Sequence, residues 1–140
     1  MTLGPADALR DAGLRVTSGR VAVLEALHDM PHSDAERLFQ SLKQHLPGLS
    51  VQSVHNVLGD LTAVGLLRRI QPSGSPARYE RRTGDNHHHL VCTECGAITD
   101  VDCAHGEAPC LTPVDAAGYT VTTAEVTYWG LCPACSATAS

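Results

Sequence analysis

Two Cys-x-x-Cys pairs constrain this chain more than anything else in it. Cys92 and Cys95 form the first, Cys132 and Cys135 the second, with thirty-six residues between Cys95 and Cys132. Four thiolates in this pattern are the donor set of a tetrahedral zinc site, which would tie two distant segments together. Gly96 after the first pair and Pro133 within the second favour tight turns that aim both sulfurs at one ion. One disulfide per pair, or a dithiol redox couple, is the competing assignment, but two matched pairs favour zinc. With four cysteine ligands and no open position, such a site is closed and structural.

The chain needs such a staple. Its 140 residues include one Trp, one Phe and three Tyr, so large core side chains are scarce, and a structural metal is a common remedy. No apolar run is long enough to span a membrane. The start, Met1-Thr2-Leu3-Gly4-Pro5-Ala6-Asp7, has neither a basic segment nor an apolar one, so no secretory signal is expected and a cytoplasmic location is. There, six cysteines read as metal or redox ligands rather than as a disulfide framework.

The net charge of −5 conceals an asymmetry. All ten Lys and Arg lie between Arg10 and Arg82, against eight acids up to Glu80, a net of +2. From Thr83 onward there are seven acids, no basic residue and all six cysteines, a net of −7. Two modules with different partners are therefore expected, at residues 1–82 and 83–140.

In the first module, helices are expected at 7–12, after Thr17-Ser18, after Ser33-Asp34 as far as Leu46, and after Ser50. Val51, Val54, Leu58 and Leu61 recur at helical spacing in the last of these, opposite Gln52, Ser53, His55, Asn56 and Asp60. Gly59 within it costs roughly 1 kcal/mol relative to Ala, which suggests close packing or contact. Strands near 66–70 and 77–81 flank the turn Gln71-Pro72-Ser73-Gly74-Ser75-Pro76. Helices followed by a basic hairpin make the pattern of a winged helix-turn-helix. A helix with short polar side chains can enter the major groove of double-stranded DNA and bond base edges. Arg68, Arg69, Arg78, Arg81 and Arg82 on or beside the wing, with Arg15 and Arg20, can neutralise phosphates. A helical bundle with a merely solvated basic face is the alternative.

The second module reads as a small α/β unit. Strands are expected at 89–92, 97–101, 119–121 and 125–131, with a short helix from about Thr112-Pro113 to Ala117. The histidines before Cys92 need their own explanation. In a strand, His87 and His89 share one face and His88 takes the other. His87 and His89 can then share an ion, completed by oxygen ligands for which Glu80 and Asp100 are candidates. Such a site suits Fe(II), Mn(II) or Zn(II) and is more labile than four thiolates. A solvated histidine run is the plain alternative.

Four motifs carry a resemblance along essentially the whole chain. They are Leu14-Arg15-Val16-Thr17-Ser18-Gly19-Arg20, the segment 50–67, Asn86-His87-His88-His89-Leu90-Val91-Cys92-Thr93-Glu94-Cys95-Gly96, and Cys132-Pro133-Ala134-Cys135. The chain resembles the ferric uptake regulator family of bacterial metal-dependent repressors. Ile70-Gln71-Pro72-Ser73-Gly74-Ser75 and the segment 102–111 look most like the actinobacterial peroxide-responsive members linked to catalase-peroxidase control. The resemblance implies an α+β protein, an amino-terminal winged helix followed by a small α/β dimerisation domain, that forms a homodimer on a palindromic operator. It matches Cys92, Cys95, Cys132 and Cys135 to the structural zinc, and His32, Glu80, His87, His89 and Asp100 to the regulatory ion. Gln52, Ser53, His55 and Asn56, with Arg15, Arg20, Arg68, Arg69 and Arg78, are the expected DNA contacts. An ion held by both modules would fix the angle at which two winged helices meet two half-sites. Peroxide release of Fe(II), with oxidation of His32 or His87, is the expected signal; iron- or zinc-uptake control is the alternative.

Some positions depart from the family pattern. His55-Asn56 stand where Tyr-Arg is usual, which removes a phosphate or guanine contact and offers an adenine one. Ala124 cannot supply the histidine of a second metal site, leaving only His88 and Glu107. Cys103 and Cys110 lie outside the zinc pairs and suit buried packing better than a redox disulfide. His105-Gly106-Glu107 with Cys132 and Cys135 mimics zinc nucleobase deaminases, but Leu131 replaces their Pro and Cys92 and Cys95 would be left unexplained. No enzymatic activity is expected. A zinc-stabilised interaction module, indifferent to added metal on DNA, is the remaining possibility.

Overall fold

The computed structural model describes residues 4–81, 87–102, 115–121 and 124–138. Contacts divide the chain into two units, Met1–Thr83 and Gly84–Ser140.

The first unit contains α1 (Pro5–Asp11), α2 (Ser18–Asp29), α3 (Ala35–Leu42) and α4 (Val51–Ala63). A two-stranded antiparallel hairpin follows, β1 (Arg68–Ile70) with β2 (Arg78–Glu80). Side chains before the helices set their starts. The Thr17 hydroxyl accepts from the Arg20 N–H at 3.2 Å, the Asp34 carboxylate from that of Arg37 at 2.8 Å, and the Ser50 hydroxyl from that of Ser53 at 3.0 Å. Ser53 reciprocates, its hydroxyl accepting from the Ser50 N–H at 2.9 Å, so Ser50 and Ser53 form a capping box. Gly65, at φ 81°, ends α4 in the left-handed region. Its N–H reaches the Thr62 carbonyl and that of Leu66 the Leu61 carbonyl, so two carbonyls of the last turn are satisfied.

Leu9, Val23, Leu24, Leu27, Leu38, Val54, Leu58 and Leu61 are fully buried and form one core. Tyr79 of β2 joins it and so anchors the wing. Helix α3 stops at Leu42, short of the expected Leu46, because 43–46 coil into turns in which His45 and Leu46 both donate to the Leu42 carbonyl.

The second unit contains β3 (His87–Cys92), β4 (Ile98–Asp102), β5 (Thr127–Gly130) and α5 (Pro133–Thr138). The sheet order is β4-β3-β5, with β3 antiparallel to β4 and parallel to β5. Three expectations change here. Residues 119–121 form no strand, and the second cysteine pair, expected in a tight turn, enters the short helix α5. Of the helix expected from Thr112-Pro113, residues 112–114 lie outside the description. Its remainder is a turn, because Ala117 (φ 50°) and Gly118 (φ 84°) are both left-handed. Among the described residues, no helix is long and apolar enough to cross a membrane.

Candidate metal centres and nucleic-acid face

Local backbone delivers each sulfur. Cys92 ends β3, and Gly96, left-handed at φ 76°, closes the turn by donating to the Cys92 carbonyl at 3.0 Å. A Cβ at position 96 would strain that turn. Cys132 precedes α5 and Cys135 sits inside it. The Cys132 N–H points at the Cys92 sulfur and that of Cys135 at the Cys132 sulfur, each at 3.4 Å.

All four sulfurs lie within 4.8 Å of one another and none is disulfide-bonded. Cys95 Sγ and Cys132 Sγ are 3.8 Å apart. A disulfide would bring them to about 2.05 Å. Two thiolates bound tetrahedrally at about 2.3 Å would stand about 3.8 Å apart, so the spacing fits one shared zinc. N–H groups of Cys95 and Cys132 directed at its sulfur pull the Cys92 thiol down to about 6. The neighbouring sulfurs of Cys132, Cys92 and Cys95 push that of Cys135 up to about 12. Four sulfurs this close cannot all ionise without a cation among them, and a soft divalent ion suits them.

Among the described residues, each unit also holds a histidine–carboxylate pair. In the first, His32 Nε2 lies 3.1 Å from Glu80 Oε2, and both side chains are buried. His32 is left-handed at φ 67°, a conformation costly for a residue with a Cβ. The wing holds it there. His32 donates its N–H to the Tyr79 carbonyl, Tyr79 returns one to that of Ser33, and Arg78 reaches the His32 carbonyl at 3.4 Å. In the second unit, His89 and Asp100 are register partners across β3 and β4, with His89 Nε2 3.4 Å from Asp100 Oδ1. His87 pairs with Asp102 in the backbone register, and its side chain lies outside the description. His88, on the other face, is buried edge-on to Tyr128, with ring centroids 6.5 Å apart. That contact gives His88 a packing role that its sequence position did not reveal. Glu107, Cys103 and Cys110 lie outside the description.

The expected DNA contacts separate into those occupied within the first unit and those presented outward. Arg20 reaches Asp60 of α4 at 3.2 Å and the Arg15 carbonyl at 2.8 Å. Arg78 donates to the Ser75 hydroxyl as well as to His32, and the Ser53 hydroxyl serves the cap. Arg81, beyond the wing, donates to the Leu24 carbonyl at 3.3 Å. Gln52, His55, Asn56, Arg15 and Arg69 are exposed, and Arg68 is half-buried. The capping box escaped sequence reading because its N3 residue is Ser rather than the usual Glu or Gln. The Arg20–Asp60 pair, forty residues apart, leaves no sequence signal at all.

The model of the Ferric uptake regulator family matches residues 11–129. The chain is 61% identical over 131 residues to the transcriptional regulator FurA of Mycobacterium tuberculosis, covering 94% of this chain and 89% of that protein. It is 29% identical over 133 residues to the peroxide-responsive repressor PerR of Staphylococcus aureus, covering 91% and 86%. The structure of the Vibrio cholerae ferric uptake regulator (Fur) superposes with a TM-score of 0.70 at 26% identity, over 91% of this chain and 98% of that one.

Proposed function

Because the chain belongs to the ferric uptake regulator family, we propose that it is a metal-dependent repressor whose ion joins the His32–Glu80 and His89–Asp100 pairs and is released by peroxide. Members of the family are metal-binding, dimeric, DNA-binding transcriptional regulators and not enzymes. The finer reading is carried by one observation: among the described residues, each unit holds a buried histidine paired with a carboxylate. Two donors fall short of the four to six ligands that a divalent transition ion takes, so neither pair completes a site alone. In this proposal both pairs, with His87, serve one Fe(II) or Mn(II) ion, and the four cysteines keep a permanent zinc.

The protein's part is geometric. His32 and Glu80 belong to the wing's root, and His89 and Asp100 to the sheet of the dimerisation module. Sharing an ion would hold the winged helix of each protomer at the angle that fits a palindromic operator. Held by these residues, Fe(II), unlike Mn(II), would supply the one-electron reduction of peroxide. His32 and His87 are the side chains proposed to be oxidised, and loss of a ligand then releases the DNA. The targets would be oxidative-stress defence genes, and the location cytoplasmic. The relative named as a peroxide-responsive repressor supports this reading. The relative named as a ferric uptake regulator favours the second one, metal sensing in iron or zinc uptake by the same ligands.

One experiment separates them. Protein with its zinc intact is loaded with Fe(II), Mn(II) or Zn(II), bound to operator DNA, and then exposed to peroxide. Release of the Fe(II) form with retention of the Mn(II) form is expected. Equal behaviour of the two, or a response to zinc alone, sinks the peroxide reading. DNA binding indifferent to every metal sinks both.

A further inference from the structure

Helix α4 presents one stripe outward: Gln52, His55, Asn56 and Gly59 follow one another at helical spacing, and all four are exposed. The opposite face, Val54, Leu58 and Leu61, is fully buried. On the stripe the Gln52 side-chain amide donates to the Asn56 side-chain carbonyl at 3.0 Å. That bond ties two flexible amides into one rigid group. It leaves the Gln52 carbonyl oxygen as an acceptor and the Asn56 amino group as a donor, side by side. Reversing both amides leaves one donor and one acceptor again, so the pattern does not depend on their assignment. In the major groove adenine offers the complement, an acceptor at N7 beside a donor at N6, whereas guanine offers two acceptors.

Gly59, one turn further on, is the second observation. Glycine weakens a helix interior, yet a Cβ at this position would meet nothing within 4 Å. Packing within the first unit therefore does not require it. Its bare backbone lies on the amide stripe, where a phosphodiester could come closer than any side chain would allow. Asp60, the one acid of α4, lies beside it and is paired with Arg20 at 3.2 Å, which reduces its repulsion of phosphate.

We infer that the hydrogen-bonded Gln52–Asn56 pair reads one adenine per half-site, and that Gly59 admits the DNA backbone beside it. The inference rests on α4 being the helix that meets DNA, and the test separates the two. Zinc-containing, Mn(II)-loaded protein is used to recover duplexes from a randomised library. Affinities for the recovered duplex and its single-base-pair variants are then measured by fluorescence anisotropy. Wild type should prefer adenine at one position, by roughly 5- to 150-fold, and 7-deazaadenine there should abolish most of that preference. Asn56→Ala and Gln52→Ala should flatten the preference at that position alone. Gly59→Ala should raise the melting temperature while weakening binding to every duplex.

Uniform weakening by Asn56→Ala and Gln52→Ala, with base preferences intact, overturns the adenine assignment and leaves α4 at the DNA. Wild type showing no adenine preference, or none sensitive to 7-deazaadenine, overturns it as well. If Gly59→Ala raises the melting temperature without weakening binding, the close approach is wrong. If none of the three variants alters DNA binding, α4 does not meet DNA and its assignment fails too.

Discussion

The two units of this chain differ in how much apolar core their described residues bury. The first packs eight fully buried aliphatic side chains, from Leu9 to Leu61, into one core beneath four helices and a hairpin. Among the described residues of the second, Val91 and Cys92 are the only buried apolar side chains. Leu90, Tyr128, Trp129 and Leu131 of that unit are all more than 40% exposed. A sheet of three short strands with so little core needs another source of stability. The four sulfurs join the end of β3 to α5, across a loop of more than thirty residues. The difference teaches where a structural ion would be needed: the four-cysteine cluster lies in the unit with the smaller described core.

Chelation is the strongest way to break this comparison. Structural zinc contributes about 10 to 16 kcal/mol in zinc-finger peptides, which matches or exceeds a typical domain's stability of about 5 to 15 kcal/mol. Removing zinc, or Cys92→Ser, should therefore abolish the fold of the second unit and spare the first. Hydrogen exchange reads this directly. Amides of His89 and Thr93, which bond to the Val126 and Gly130 carbonyls, should lose protection, while those of α4 keep theirs. Unchanged protection in β3 would mean that packing, not metal, holds the sheet.

The reciprocal change tests the other half. Leu58 is fully buried in the first unit's core, and Leu58→Ala should cost about 2 to 5 kcal/mol. Urea unfolding followed by helical circular dichroism should shift accordingly, with zinc still bound by a colorimetric chelator assay. Zinc loss in step with helix loss would show that the units do not stand separately.

This contrast also explains what the sequence made legible. Helix starts in the first unit follow local rules, since Thr17, Asp34 and Ser50 bond N–H groups three residues ahead. The cysteine and histidine ligand candidates were legible because their chemistry is rare and their spacing fixed. The second unit was less legible, because its strands are short and bury few apolar side chains, which weakens hydrophobic periodicity. Residues 119–121 alternate as a strand would, yet form none. Asp115 binds the Ala117 N–H at 2.8 Å and turns the chain where helix was expected. Pro133 at the first position of α5 was an available signal for that helix, but Cys, Ser and Thr are weak helix formers. The left-handed backbone of His32 left no trace, because tertiary hydrogen bonds to Tyr79 impose it.

A smaller effect on stability, and a larger one on function, is expected at the histidine–carboxylate pairs. Glu80→Gln keeps the shape of the buried side chain and removes its charge, and His89→Ala removes one donor. Losing even a side chain that supports a metal ligand weakens binding about 10- to 100-fold, so these variants should need at least that much more Mn(II) to hold operator DNA. Zinc content should stay unchanged. A variant that lost its zinc together with its Mn(II) response would erase the distinction between permanent and exchangeable ion.

The smallest effect is expected on the first unit's surface. Arg20 joins Asp60 at 3.2 Å and the Arg15 carbonyl at 2.8 Å, which fits a strap between α2 and α4. Asp60 is half-exposed, so the pair should contribute no more than about 1 kcal/mol. A phosphate contact and a strap predict different salt dependence. Losing a phosphate contact lowers the slope of log affinity against log salt by about 0.9. Arg20→Ala should leave that slope unchanged, and Asp60→Asn should reproduce its small drop in melting temperature. A slope reduced by Arg20→Ala but not by Asp60→Asn would move Arg20 from the scaffold to the DNA. The core would remain the first unit's main support, because the energy at stake in this pair is a fraction of one buried leucine.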